Sequence, residues 1–478
     1  MSRAIIIGGS IAGLAGALAL SEIGYDVEIL ERDPSPPPES TEEAHDGWPR
    51  PTVPQATHSH AFASLGVNLL RERTPDIYAA LVAAGAGEIQ LAERKPPTLV
   101  DAGEEPEDAE LNMLASRRST FELVFRREVL RRPRITVHPG TTVRGLEFAP
   151  GGGRRVTGVR TEDGRVVHAD IVIDAAGRRS PVTQWLAEAG VPVAADQSES
   201  CEITYYTRFY RSLTKGPAGP LNRGFGAGGL WDHYTAVLFL GDNGTFSVSV
   251  GVLPQDTLMK GLRKEPAFTA AVRATPLLAP WIAPGNAEPI SGVHAMGGLD
   301  NMLRGAATTR QEPVPGLFLL GDSACTTNPA YGRGVSLALA HAYALAEVLR
   351  NEPNVGEAQA REAARVAERL FTPWFNEAVQ NDRGRGGLWR ATVTGVTLPP
   401  PPEHVITFGA VAEAAGSDPV VWRRLVRVMM SLSTPDTVYG DEEIRVRVRK
   451  ALAASNGHGL PGASREQLVR AVNETAAA

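Results

Sequence analysis

Three short stretches carry residue types at spacings that can do chemistry. The first, Gly8-Gly9-Ser10-Ile11-Ala12-Gly13, has the spacing G-x-G-x-x-G with Ser10 at the second glycine. Gly8 permits a tight turn, Gly13 lets a helix pack closely on a strand, and the helix start offers N–H groups to an anion. Ser10 is the smallest polar replacement for the middle glycine, and its hydroxyl can add a hydrogen bond to a phosphate. Glu31 ends the next apolar run, where a carboxylate accepts from a ribose hydroxyl. Glu31 and the adjacent Arg32 are candidate dinucleotide contacts. A glycine turn in an unrelated α/β unit would show the loop without this strand, helix and acid.

The other two stretches narrow the ligand. Gly321-Asp322 follows the apolar run Leu317–Leu320, and an aspartate at a strand end can accept from a ribityl hydroxyl. Pro329-Ala330-Tyr331-Gly332-Arg333-Gly334 then opens a helix whose positive end would favour the anionic, reduced form of a flavin. Arg333 either adds to that charge or points to solvent. Between these motifs, Asp174-Ala175-Ala176-Gly177-Arg178-Arg179-Ser180-Pro181 ends a buried strand at a tight turn. Its two arginines can contact phosphates of FAD or NADPH, or form surface ion pairs. One glycine fingerprint leaves FAD, NAD and plain structure open; the ordered trio points to FAD.

Several elements must position these groups. Residues 3–7, 11–23 and 26–30 read as strand, helix and strand, a βαβ opening. A Pro- and Ser-rich acidic loop follows from Asp33 to about Thr57, either exposed and mobile or covering a site. Helical patterning returns over 61–84, broken near Pro75, and over 119–130. Strands at 135–138, 143–148, 156–161 and 165–168 read as a meander of hairpins with turns at 151–153 and 163–164. Alternation in 202–211, 235–240 and 245–252 predicts an antiparallel sheet. The first of these strands puts Ile203, Tyr205, Thr207 and Phe209 on one face and Thr204, Tyr206, Arg208 and Tyr210 on the other. Tyr205 and Phe209 are candidate substrate-pocket residues if that face covers a cavity, and core residues otherwise. Trp231 and His233 either gate the cavity or sit on a surface loop. Val335–Leu349 is apolar enough for a core helix. Beyond Pro399-Pro400-Pro401-Pro402 the chain reads as helices, such as 420–432, with a weakly structured Ala-rich end.

Bulk properties exclude some functions. With 478 residues the chain exceeds what one core usually serves, so two or three domains are expected. A formal net charge of −6 implies no basic surface for nucleic acid. Two separated cysteines, Cys201 and Cys325, make neither a disulfide framework nor a metal site, and fit a cytoplasmic protein. The apolar N-terminus breaks at Gly8-Gly9, which suits a first strand better than a signal peptide. No apolar run is long enough for a membrane span.

The chain resembles the single-component FAD monooxygenases of the aromatic-hydroxylase fold, over roughly residues 1–350. Within that group it is most similar to the flavin-dependent epoxidases of polyether antibiotic biosynthesis and their bacterial relatives. The narrower likeness rests on V-P-Q-A-T-H-S-H at 53–60, S-R at 116–117, I-D-A-A-G-R-R-S-P at 173–181, Y-Y-T-R-F-Y at 205–210 and G-D-S-A-C-T-T-N-P-A-Y-G-R-G at 321–334. The resemblance implies FAD contacts from Gly8, Ser10, Gly13, Glu31, Arg117 and Asp322, with Pro329, Gly332, Arg333 and Gly334 beside the isoalloxazine. Arg117 could equally be an exposed charge. His58 and His60 either line the flavin and substrate pocket or form a polar turn before a helix.

The implied fold class is α/β: a Rossmann-type FAD-binding domain with an inserted antiparallel-sheet substrate domain and a helical C-terminal region. The FAD-binding segments would be residues 1–80, 105–185 and 296–350. The substrate domain would take 81–104 and 186–295, and the helical region 351–478. The implied reaction inserts one oxygen atom from O₂, by way of a flavin C4a-hydroperoxide, into an unsaturated or aromatic natural-product intermediate. Epoxidation leads and hydroxylation follows. Aromatic hydroxylases usually carry Asp-Gly where this chain has Ala176-Gly177, so NADPH or NADH would reduce the flavin either on this chain or through a separate flavin reductase. Arg333 stands where Gln or His is more usual, and the W-x-W-x-I-P signature of flavin halogenases is absent. The alternatives are an FAD-dependent reductase of the geranylgeranyl-reductase type and a non-catalytic flavin-binding protein. The extra C-terminal helices would supply a dimer contact or pack on their own chain.

Overall fold

The computed structural model describes residues 2–151, 153–399, 405–454 and 459–476. Pro400–Pro402 of the proline run and Gly152 of the expected glycine turn lie outside the described residues.

The apolar runs assemble a five-stranded parallel sheet in the order Leu317–Leu319, Ile171–Asp174, Arg3–Ile7, Asp26–Glu31 and Ile135–Pro139. The middle strand, with Ile5 and Ile6 almost fully buried, reads as continuous hydrophobicity because both faces of a parallel sheet are covered. Helices Ile11–Glu22 and Gly334–Asn351 share one apolar cluster with it. Ile135–Pro139 pairs with Asp26–Glu31 in this sheet and not with the meander. The meander keeps only Val143–Phe148, Val156–Thr161 and Val166–His168. Ile135–Pro139 and the first meander strand are separated by a short turn, so local alternation alone could not tell the two sheets apart.

A second, antiparallel sheet runs Gly226–Leu230, Tyr234–Leu240, Thr245–Val252, Thr204–Ser212, Ala287–Pro289, with His294–Met296 paired to the other half of Thr204–Ser212. Register pairs Thr207 with Ser249 and Tyr205 with Gly251, which puts these residues on one face. The opposite face, bearing Tyr206, Tyr210, Phe246, Val248 and Val250, is buried against helix Glu265–Ala274 and Trp281. The mixed α/β class expected from sequence is present.

The end of the chain departs from expectation. Arg465–Ala476 is a helix with Leu468 and Val472 fully buried in the core under the antiparallel sheet. The Ala463 N–H donates to the Tyr234 hydroxyl at 2.9 Å and Arg465 pairs with Asp256 at 2.5 Å. The alanines hid an amphipathic stripe whose partner lies more than 200 residues earlier. Glu357–Thr394 is a single helix of 38 residues that contains Pro373. Helices Phe408–Ala414, Pro419–Met429 and Glu442–Ala454 pack together, and Arg423 and Arg427 tie them to Asp108 and Glu110 at 2.9 and 2.7 Å. The C-terminal helices thus pack on their own chain. No helix among the described residues is long and apolar enough to cross a membrane.

Because Leu468 is fully buried, Leu468→Ala should lower stability by about 2–5 kcal/mol in denaturant unfolding. A frayed, weakly structured terminus would show almost no change.

Candidate functional site

A cavity of about 690 Å³ runs from the first glycine turn to the loop at 329–334, and the middle turn 175–179 also lines it. Each motif sits at a strand end or helix start, where backbone N–H groups are left over. At one end Gly8 holds φ of +103°, and a Cβ there would meet the Ala175 carbonyl oxygen at 2.6 Å. A Cβ on Gly13 would come within 1.9 Å of the Gly8 carbonyl oxygen. Gly13 is therefore required for helix–strand packing and does not line the cavity, whereas Gly8 and Ser10 do.

Glu31 is buried at the cavity edge. Its Oε2 accepts from the Gly9 N–H at 2.7 Å and its Oε1 from the Asp33 N–H at 2.8 Å. The carboxylate is fixed in place with acceptor capacity to spare for a ligand hydroxyl. Arg32 is exposed and borders the cavity. Behind the turn, Arg126 donates to the Gly9 carbonyl at 3.0 Å.

The two adjacent arginines at the next helix start divide their roles, and Arg117 is not where the resemblance places it. Arg117 is buried away from the cavity, and its guanidinium meets Asp242 at 2.6 Å. Its backbone N–H also donates to Asp242, as does the Thr120 hydroxyl. Burial alone would raise the Asp242 carboxyl, but these donors leave it below its usual range. Arg118 lines the cavity instead, donating to Ser10 Oγ at 3.0 Å and pairing with Glu122. Glu122 also binds Arg50, at 2.7 Å. Arg50 belongs to the 33–57 segment, whose residues 52–55 line the cavity, so that segment covers the site. The i, i+4 spacing of Arg118 and Glu122 was the available sequence signal for choosing between the arginines.

At the other end, Asp322 lines the cavity and burial raises its carboxyl pKa, against the charges of Arg118 and Arg178. The preceding Gly321 N–H donates to His341 Nδ1 at 3.4 Å, a long bond that needs a neutral imidazole. Burial lowers His341 from 6.5 to about 4, which keeps it neutral. Pro329, Gly332, Arg333 and Gly334 all line the cavity, with Gly332 left-handed at φ of +64°. Arg333 does not point to solvent; it is buried, with Glu377 Oε2 at 2.7 Å.

This loop is held by Asp382, a residue no local motif marks. Its carboxylate accepts from Asn301 Nδ2 and Asn328 Nδ2 at 2.8 Å each, the Tyr331 hydroxyl at 3.0 Å and Arg385 at 2.8 Å. Tyr205 joins the cluster from the antiparallel sheet, donating to Asn328 Oδ1 at 2.6 Å. Tyr205 thus stands behind the cavity wall, and Phe209, packed against the His45 ring at 5.0 Å, does not line the cavity either. Of the residues on their face of the strand, Thr207 is the one that reaches His58.

His58 Nδ1 lies 3.0 Å from Thr207 Oγ1, which lies 2.6 Å from Ser249 Oγ. Ser59 Oγ closes the strip, 2.9 Å from Ser249 and 2.7 Å from Ser247. His58 and His60 both line the cavity. Burial first, then the neighbouring His294, lowers His58 to about 4. Burial and then Arg118 lower His60 to about 3. Both are neutral near pH 7. Trp231 stacks on Tyr234 at 4.5 Å and is not part of the cavity wall, nor is His233.

With this geometry in view, comparison with known proteins shows the fold. No family model matches the chain. Protein Rv3254 of Mycobacterium tuberculosis (strain ATCC 25618 / H37Rv) is 27% identical over 410 residues, 79% of each chain. Among solved structures, a triple mutant of the flavin-dependent brominase Bmp2 aligns with a TM-score of 0.61 and 15% identity, covering 95% of this chain and 99% of that one. PqsL, a probable FAD-dependent monooxygenase from Pseudomonas aeruginosa, aligns with a TM-score of 0.55 and 14% identity over 82% and 98% of the two chains. The fold is therefore that of flavin-dependent monooxygenases and halogenases.

The two arginines should separate by experiment. Arg118→Ala should weaken FAD binding by about 1.5–3 kcal/mol in a titration. Arg117→Ala leaves Asp242 buried without its partner, so it should cost about 3–5 kcal/mol of folding stability. For His341, the unfolded chain binds the proton near pH 6.5 and the folded one only near 4. Its contribution is complete above pH 6.5 and lost by about 1.4 kcal/mol per pH unit as pH falls toward 4. Urea unfolding across this window should show a slope shallower by about 1.4 kcal/mol per pH unit in His341→Asn than in the parent, with the slope from His58 and His60 retained.

Proposed function

We propose that this chain is an FAD-dependent monooxygenase that inserts one oxygen atom from O₂ into an unsaturated or aromatic small molecule, by epoxidation or hydroxylation. The observation that carries the reading is the single cavity that joins both glycine loops and is lined by His58 and Ser59, the two residues bonded to the polar strip of the antiparallel sheet. The residues present fit FAD. Gly8, where a Cβ would collide with the Ala175 carbonyl, lets two backbone turns meet at the cavity edge. Ser10 and Arg118 suit a pyrophosphate, Glu31 a ribose and Asp322 a ribityl hydroxyl. Pro329 to Gly334 would lie beside the isoalloxazine. On this reading the parallel sheet and its helices form the FAD-binding domain, the antiparallel sheet forms the substrate domain, and the 351–478 helices close both.

Bound and reduced, FAD would supply the electrons that activate O₂, and one atom of that O₂ would pass to the substrate while the other leaves as water. The chain must bind and orient the substrate and exclude water. His58, neutral and held by Thr207 through Nδ1, offers Nε2 as a hydrogen-bonding handle for a substrate oxygen. Met296, Leu299 and Pro54 add apolar wall for the carbon skeleton. NADPH or NADH is the reductant, bound here or by a flavin reductase. Ala176 and Gly177 line the cavity but offer no carboxylate at the position where aromatic hydroxylases carry one.

The test is an anaerobic titration of FAD-loaded protein with NADPH and NADH, followed by admission of ¹⁸O₂ with unsaturated and aromatic substrates. Bleaching of the visible flavin band and one ¹⁸O atom in the product would support a self-sufficient monooxygenase. Bleaching only with dithionite or an added reductase, with the same labelled product, would assign the electrons to a partner. A saturated product without O₂ consumption would favour the reductase reading. Failure to retain FAD would overturn the proposal.

A further inference from the structure

We propose that Glu377, on the long C-terminal helix, sets the reduction potential of the bound flavin by neutralising Arg333. The proposal rests on FAD binding as read above.

Arg333 lines the cavity between Gly332 and Gly334, at the start of helix Gly334–Asn351. Its side chain is 6% exposed and that of Glu377 is 8% exposed. At that burial their charges are little screened by water. The guanidinium cannot swing away, because it lies 4.5 Å from the Tyr331 ring and 4.7 Å from the Trp374 ring. Trp374 and Glu377 come from the same stretch of the long helix, which delivers both an aromatic platform and a counter-charge. The Tyr439 hydroxyl, buried with no hydrogen-bond partner, sits within the field of both charges.

The helix start already carries a partial positive charge of roughly half an elementary unit. A lone Arg333 would add a whole unit at the flavin-facing end, and reduced flavin is the more anionic form. Glu377 cancels that unit while leaving the helix dipole. Glu377 is thus a positioning and tuning residue, since it acts through Arg333 and is absent from the cavity wall. An ion pair that only staples the helix to the loop would alter stability and leave the potential unmoved.

The experiment measures the midpoint potential of FAD-loaded protein by equilibrium dye titration, with sulfite affinity of the oxidised flavin as a second readout. Glu377→Gln should favour reduced over oxidised FAD by tenfold or more, a rise of about 30 mV for a two-electron couple. Sulfite should bind more tightly in step. The double variant Arg333→Gln with Glu377→Gln should return near the parent value. If Glu377→Gln does not fold, Arg333→Gln reads the same field with opposite sign, and the potential should fall below the parent value. FAD retained at an unchanged potential in the single variants would overturn this proposal alone. Absence of bound FAD from the parent protein would overturn the cofactor reading and this one together.

Discussion

The Asp382 carboxylate is the constraint on which the site depends. A fully buried charge is costly unless it is matched, and Asp382 is matched by two asparagine amides, a tyrosine hydroxyl and an arginine. Those donors come from three places in the chain. Asn301 stands on the short strand Asp300–Leu303, Asn328 and Tyr331 on the cavity loop, and Arg385 on the long helix itself. Asn328 then accepts from Tyr205 of the antiparallel sheet. One anion thereby sets the relative position of the cavity loop, the large sheet and the C-terminal helix.

The same logic recurs around the cavity. Arg117 and Asp242 join a helix start to a hairpin of the antiparallel sheet, while Arg50 and Arg118 share Glu122 behind the first glycine turn. Polar groups that face the cavity are held from behind by other polar groups, so their free atoms point to the ligand space in defined directions. Glu31 keeps its orientation through two backbone N–H groups, and His58 through Thr207. Such preorganisation is what the proposed flavin site requires, because the protein's part there is placement and electrostatics.

Much of this was legible because it is local. Gly8 and Gly13 declare a turn locally, through the positive φ of Gly8 and the close approach of Gly13 to the Gly8 carbonyl. Glu31, Asp322 and the 329–334 loop follow the same strand-end rule. What escaped was decided by long-range partners. Arg117 and Arg118 are chemically identical neighbours, and only the position of Asp242 sends the first inward and leaves the second at the cavity. Tyr205 and Phe209 share a face with Thr207, yet their lengths carry them past the wall into Asn328 and His45.

Residue types and spacing in the sequence thus determined the parallel unit, the three loops that line the cavity and the alternation of the antiparallel sheet, since these follow from backbone sterics and hydrophobic periods of two and 3.6. Tertiary structure alone decided which arginine faces the ligand, that the final helix belongs under the antiparallel sheet, and that the long helix brings Glu377 and Asp382 to the cavity loop. Those outcomes depend on burying charge and apolar surface between segments far apart in the chain. Desolvation has no sequence period, because it is a property of what surrounds a residue and not of its neighbours in order.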